Sequence, residues 1–426
     1  MIQRSAPIQI GKNISLHVIK TDKFKTNLID VYFQRPLCRE EATQNALLSM
    51  VLPRGTKTLP TSKEISRNLD ELYGASMGSA VQKKGERQII QFRIQLPNQQ
   101  YIKDSMFLKK GLQILNELIH QPYTVDGVFY NEYVRQEKEN LKEKIEGRKN
   151  DKIRYAYERC IEEMCAGERF ALHEYGQIEK IDDITEKSLY HHYQNVLRSS
   201  PIDICAVGDL EAEEVKNLIM DTFAFEQAQV ISIEKEKIDF VPQKVNIVNE
   251  YMDITQGKLT LGYRANIPFE NDLYYALLVY SNILGGGPNS KLFQIVRERE
   301  SLCYYIFSKI QKFKSLMLIG SGIEFENYER VLSLIEEQIT EMRKGNFTNE
   351  EIQNAKNSLA TSIRSLTDSP GALADFYYTQ TIGDQYIDIE EMIQKIMNVT
   401  KEEIIKAGEN IKLDTIYFLR NEKESR

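Results

Sequence analysis

A segment near the middle of the chain returns near its end. Ile178-Glu179-Lys180-Ile181-Asp182-Asp183-Ile184-Thr185-Glu186-Lys187-Ser188-Leu189 is matched by Ile393-Gln394-Lys395-Ile396-Met397-Asn398-Val399-Thr400-Lys401-Glu402-Glu403-Ile404, with every position 215 residues further on. Asn195-Val196 and Asn410-Ile411 keep the same register. In each copy an apolar, strand-like stretch follows, Ile202 to Val207 and Thr415 to Leu419. A shared register with a shared order of elements points to an internal duplication, and so to two similar halves.

The elements between the copies agree. Val331, Ile335, Ile339 and Met342 fall on one helical stripe, which Arg343-Lys344-Gly345 ends with a stop signal. Thr348 and Glu351 predict a capping box for the next helix, whose buried side would carry Ile352, Ala355, Leu359 and Ile363. The first half offers a counterpart: a helix over Phe107 to His120, a break at Pro122, and a charged helix over about Phe129 to Gly147. Ile89 to Leu96, Lys258 to Tyr263 and Leu316 to Ile323 alternate as strands do. Phe225 to Val245 is polar and charged and contains Pro242, which suits a linker. The pattern predicts an α+β chain of two homologous domains, each a mixed or antiparallel sheet packed with helices. They would span 1–224 and 244–426, with the linker at 225–243.

Composition sets outer bounds. Hydrophobic residues at 42% and charged residues at 27% describe an ordinary globular chain, which excludes a disordered or fibrous one. A formal charge of −7 supplies no basic surplus for a nucleic-acid backbone. No apolar run reaches the roughly 18 residues that a membrane-spanning helix needs, and residues 1–7 lack the apolar core of a signal peptide. The five cysteines (Cys38, Cys160, Cys165, Cys205, Cys303) are scattered and form no C-x-x-C pair. Reduced thiols and a cytoplasmic location are the expectation.

Leu284-Gly285-Gly286-Gly287-Pro288-Asn289-Ser290-Lys291-Leu292-Phe293-Gln294-Ile295-Val296-Arg297-Glu298, followed by Ser301-Leu302-Cys303-Tyr304, resembles a signature of the pitrilysin/insulinase-type zinc peptidases. That family includes the mitochondrial processing peptidase subunits and their bacterial relatives. The typical form is a glycine turn, Ser-x-Leu-Phe, an Arg, and a Leu-x-Tyr ending seven residues later. Pro53-Arg54-Gly55-Thr56, Leu72-Tyr73-Gly74-Ala75 and Val207-Gly208-Asp209 extend the resemblance over the first half. It implies duplicated α+β halves facing each other across a chamber.

The resemblance also shows what is missing. Active relatives carry His-x-x-Glu-His on a helix before the Gly-Thr, where two His on one face ligate zinc and the Glu acts as general base. The corresponding positions here are Ala46, Ser49 and Met50. A methyl group, a hydroxyl and a thioether cannot do that work. The five histidines (His17, His120, His173, His191, His192) include no pair at helical ligand spacing. Neither a metal nor another cofactor is expected. Glu143, with 92 residues between it and Met50, resembles the third, glutamate ligand, but reads more simply as a solvated glutamate on a charged helix.

Arg297 and Tyr304 match the pair that helps hold the substrate backbone or carbonyl oxygen in active relatives. A guanidinium and a phenol both donate hydrogen bonds, so either could stabilise charge on that oxygen. The plainer alternative is a surface ion pair of Arg297 with Glu298 or Glu300 and a core Tyr304. Gly285-Gly286-Gly287 lacks the ending of a phosphate-binding loop and is expected to be a tight turn. His191-His192 is expected on a helix surface, because adjacent helix residues point about 100° apart.

The resemblance therefore implies a non-catalytic subunit without catalytic residues of its own. Its partner would be an active zinc peptidase of the same family, and its ligand an extended peptide adding to a sheet edge. A scaffold protein without a peptidase partner is one alternative. An active peptidase with unrecognised catalytic groups is the other.

Overall fold

A computed structural model describes residues 2–102, 104 and 106–422. The chain forms two compact units. The first comprises residues 1–146, 172–234 and 367–379; the second comprises 147–171, 235–366 and 380–426. Chain halves and packed units therefore differ. The halves drawn at 1–224 and 244–426 follow the repeat, whereas each unit also takes a short stretch from the opposite half.

The first unit is built on a seven-stranded sheet of β1 (Gln3–Arg4), β2 (Ile8–Gly11), β3 (Ile14–Lys20), β4 (Thr26–Pro36), β5 (Ser76–Lys84), β6 (Arg87–Pro97) and a late strand, Ile202–Gly208. A small hairpin, β7 (Thr124–Val125) and β8 (Val128–Phe129), precedes that strand, which is β9. The order is β1-β3-β9-β4-β6-β5, with β2 also on β3. Among the described residues only β3 and β9 run parallel. The helices are α1 (Ala42–Val51), α2 (Ser62–Glu71), α3 (Phe107–His120), α4 (Asn131–Gly147), α5 (Lys152–Met164), α6 (Glu186–Ser199) and α7 (Ala212–Thr222); of these, α5 belongs to the second unit.

The second unit repeats the plan. Its sheet consists of β10 (Asn246–Met252), β11 (Gly257–Arg264), β12 (Cys303–Gln311), β13 (Leu316–Ile323) and β14 (Lys412–Asn421) in the order β10-β14-β11-β13-β12. Again only the first pair is parallel. Strand for strand this is β3-β9-β4-β6-β5, so the duplication seen in one segment extends to the whole topology. Its helices are α8 (Leu273–Gly285), α9 (Tyr328–Arg343), α10 (Asn349–Ser365), α11 (Pro370–Ile382), α12 (Ile389–Asn398) and α13 (Lys401–Asn410), with most of α11 in the first unit. The capping box at Thr348 and Glu351 is present, as is the stop at Gly345, whose φ of 76° suits glycine. No helix among the described residues is long and apolar enough to cross a membrane.

Strand alternation sorts each sheet into two faces. On β4, Ile29, Val31 and Phe33 join the apolar core shared with α1, α3 and α6. Asp30 and Tyr32 occupy the other face, where Tyr32 stacks on Tyr378 of α11 at 3.9 Å and 4°. In the second unit α5 covers the corresponding face. Cys160 and Met164 pack with Leu316, Leu318, Tyr417 and Leu419, and Gly262 leaves the room they need, since a Cβ there would meet the Met164 sulfur at 2.7 Å.

A buried ion cluster fastens the end of α5. Arg264 donates to Glu168 at 2.6 Å, to the Met164 carbonyl at 2.8 Å and to Asp414 at 3.1 Å. Lys314 reaches the other Glu168 oxygen at 2.6 Å. Burial pushes the Glu168 carboxyl up, but hydrogen bonds from Arg264 and Lys314 outweigh it and hold the pKa below the ordinary value. Because the folded pKa is the lower one, this contribution is full above the ordinary carboxylate range and is lost as pH falls through the folded value. Glu168→Ala removes the carboxylate that Arg264 and Lys314 share, leaving Arg264 its bond to Asp414 and Lys314 its bond to the Lys237 carbonyl, and is expected to cost about 3 kcal/mol. An unchanged urea-unfolding midpoint at pH 7 would contradict this.

Candidate functional site

Helix α1 carries Ala46, Ser49 and Met50, and a chain of amides holds it. His192 of α6 donates from Nε2 to the Asn45 carbonyl oxygen at 2.7 Å, and Asn45 donates to Gln88 at 2.8 Å. Gln88 in turn donates to the Ala42 and Glu174 carbonyls at 2.9 and 2.6 Å. His192 is thus a buried anchor and not a surface residue, which corrects the expectation for the His191-His192 pair. The 100° divergence that makes the two poor joint ligands leaves His191 exposed and sends His192 inward.

Ala46 is buried in the apolar core. The Ser49 hydroxyl donates back to the Ala46 carbonyl at 2.8 Å, and the Ser79 hydroxyl of β5 donates to the Ser49 carbonyl. Met50 is half-buried. With Pro53, Ser49 and Met50 form one wall of an open recess of about 620 Å³, whose remaining lining is Ser79, Glu137, Asn140, Glu143 and Lys144.

The opposite wall is α4. Glu137, Asn140 and Lys144 follow the i, i+3, i+7 spacing of one helical face, with Glu143 beside them on the rim. Glu143 therefore does line the same recess as Ser49 and Met50. The sequence reading missed Glu137, Asn140 and Lys144, although their spacing was the available signal. Glu137 is 5% exposed. One of its oxygens accepts from Arg54 at 2.9 Å and the other from Asn140 at 3.0 Å. Arg54 also donates to Gln136 at 2.6 Å and lies 5.0 Å from the Tyr133 ring centroid. A guanidinium supplied by the chain now neutralises the carboxylate of this wall. Among the described residues no group of three or more His, Cys, Asp or Glu side chains is placed to hold a metal ion.

Arg297 and Tyr304 lie in the second unit, on consecutive elements. Phe293–Arg299 is a π-helix, a rare form that is frequent at functional sites. It is followed by Ser301 at φ 55° and then by β12. The Arg297 guanidinium lies 4.5 Å from the Phe293 ring centroid and 3.8 Å from Glu298. Tyr304 is 61% exposed and donates to Glu324 at 2.8 Å, and this hydrogen bond raises its pKa. Tyr304 is therefore no core residue. Arg297 is exposed, and its contacts with Phe293 and Glu298 both lie within its own helix, as the plainer alternative of a surface ion pair has it.

Residues 183–359 match the family model described as "Peptidase M16 inactive domain". The chain is 41% identical to the "Probable inactive metalloprotease YmfF" of Bacillus subtilis over 408 residues, covering 96% of each. The chain belongs to the M16 peptidase family. A second relative from Bacillus subtilis, described as an uncharacterized zinc protease, YmxG, is 22% identical over 232 residues, covering 54% of this chain and 56% of its own. The solved structure of a conserved protein from Enterococcus faecalis V583 is 31% identical, covers 98% of both chains and superposes with a TM-score of 0.90. Within M16 the present chain is an inactive homologue.

The anchoring of α1 carries a pH dependence. Burial lowers the His192 pKa to about 3, helped by the nearby charges of Arg35 and His191. Burial also lowers that of His120 to about 4, against a partial opposing effect of Asn116. An unfolded chain takes up protons on both near pH 6.5, so stability is lost as pH falls from there toward the folded values. Unfolding free energy is expected to decline between pH 7 and pH 5, and His192→Gln should make the decline shallower. Identical slopes in parent and variant would show that His192 titrates normally in the folded chain.

Proposed function

We propose that this chain is the non-catalytic subunit of a heterodimeric zinc peptidase, binding extended peptide and completing the chamber of an active M16 partner. The observation that carries the reading is an open recess of about 620 Å³ beside the edge strand of a sheet. Strand β5 ends the order of its sheet and, among the described residues, pairs only with β6. Its Ser79 lines the recess together with Ser49. An extended peptide adding to β5 would gain main-chain hydrogen bonds and lay its side chains alternately toward and away from that recess.

Two further facts support it. The Arg297–Tyr304 signature persists although the metal motif is gone, as expected of a chain that still meets substrate. Bacillus subtilis, moreover, contains both an inactive-type and a zinc-protease-type relative of this chain. The five unpaired cysteines fit a cytoplasmic setting.

Tagged chain recovered from native cells is expected to bring down a second M16 chain bearing His-x-x-Glu-His, with about one zinc per pair. Arg297→Ala should lower peptide hydrolysis by that pair about tenfold, the scale of one charge-assisted hydrogen bond. Recovery of this chain alone and metal-free, or full activity of the variant pair, would overturn the reading.

A further inference from the structure

The recess between α1 and α4 is more than a vacated space, because its charges have been rearranged. Glu137 is committed to Arg54 and Asn140. Lys138 is committed to the Asp182 and Ile184 carbonyls, and Lys142 to the Asp182 carboxylate at 2.9 Å. Lys144 differs from both of its neighbours. It lines the recess, and its ammonium lies 6.0 Å from the Tyr175 ring centroid, with no carboxylate paired to it among the described residues. A monovalent cation thus faces the recess across from Ser49 and Met50, where an active relative would present zinc.

We infer that Lys144 makes this recess a receptor for the C-terminal carboxylate of a peptide lying along β5. The inference deepens the peptide-binding reading and rests on it. An ammonium is a compact point charge with three donors, suited to an anionic oxygen. A free peptide C-terminus is the one main-chain group that carries such a charge, and its capture by protein donors is an established mode of peptide recognition. Met50 and Pro53 on the facing wall offer neither a Lewis acid nor a base to activate water, so a peptide held here is retained and not cut. The chemistry selects peptides that already end at the recess, in other words cleavage products, over chains that run through it. Glu143 lines the recess beside Lys144 and opposes a carboxylate there, so it weakens the capture that Lys144 supplies.

The test uses the full-length chain and a fluorescein-labelled octapeptide of alternating valine and threonine, made with a free C-terminus and as the C-terminal amide. Anisotropy titration at low salt is expected to give about tenfold weaker binding of the amide. Lys144→Met should remove that difference, while Glu143→Gln should tighten the free acid about twofold and leave the amide unchanged. Both substitutions are at exposed positions of α4, so circular dichroism should match the parent. Equal affinity for acid and amide in the parent would overturn the carboxylate assignment and leave peptide binding standing. A discrimination that survives Lys144→Met would overturn the role of Lys144. Binding of neither form would overturn the peptide-binding reading itself.

Discussion

Everything in this fold depends on covering two sheets on both faces. A strand that alternates side chains up and down commits the sheet to two surfaces, and apolar area left bare on either costs roughly 25 cal/mol per Å². In each unit the helices of its own half of the chain cover one surface. The other receives a single helix from the opposite half, α5 on the second sheet and α11 on the first. The two exchanged helices hold equivalent places in the duplicated order, so the exchange is reciprocal and belongs to the repeat itself.

The two covered faces use different chemistry. Under α5, sulfur and aromatic groups pack closely over Gly262, and the ion cluster of Arg264, Lys314, Glu168 and Asp414 closes one end. Farther along, Glu250 accepts from Tyr155, Arg159 and Tyr417. Under α11 the sheet face itself is polar: Asp30 is buried and bound by Arg93 through both oxygens, with Tyr32 and Gln91 also donating to it. Breaking one member of such a buried network costs more than breaking the same contact at the surface. Such networks also fix the position of a helix more narrowly than apolar contact does, since a sliding helix would leave charges unpaired.

Much of this was legible from the residues. The helix over Phe107–His120 and the strand over Leu316–Ile323 have the bounds that periodicity predicts, because an amphipathic stripe and an alternating run are strictly local signals. The departure from His-x-x-Glu-His at Ala46, Ser49 and Met50 was equally plain, since it depends on side-chain types at three positions. What could not be read was long-range. Lys152–Met164 reads as one more charged helix, and nothing within it says that its apolar stripe serves a sheet about a hundred residues further on. The π-helix at Phe293–Arg299 likewise leaves no periodic trace, being a single widened turn imposed by its surroundings. The pairing of Arg54 with Glu137, across 83 residues, gives the recess its electrostatics, and only the approach of α1 to α4 creates it.

The reciprocal exchange has a consequence for how the protein comes into being. The last strand of the first sheet ends at Gly208, but the segment that covers its polar face runs to Thr379. At roughly 5–20 residues per second of synthesis, the nascent first unit spends on the order of ten seconds or more with Asp30, Tyr32 and Asp203 bare to solvent. A ribosome therefore cannot release a finished N-terminal unit ahead of the rest. The duplication that in principle made two independent folding units was converted, by trading one helix each, into a chain that matures only as a whole.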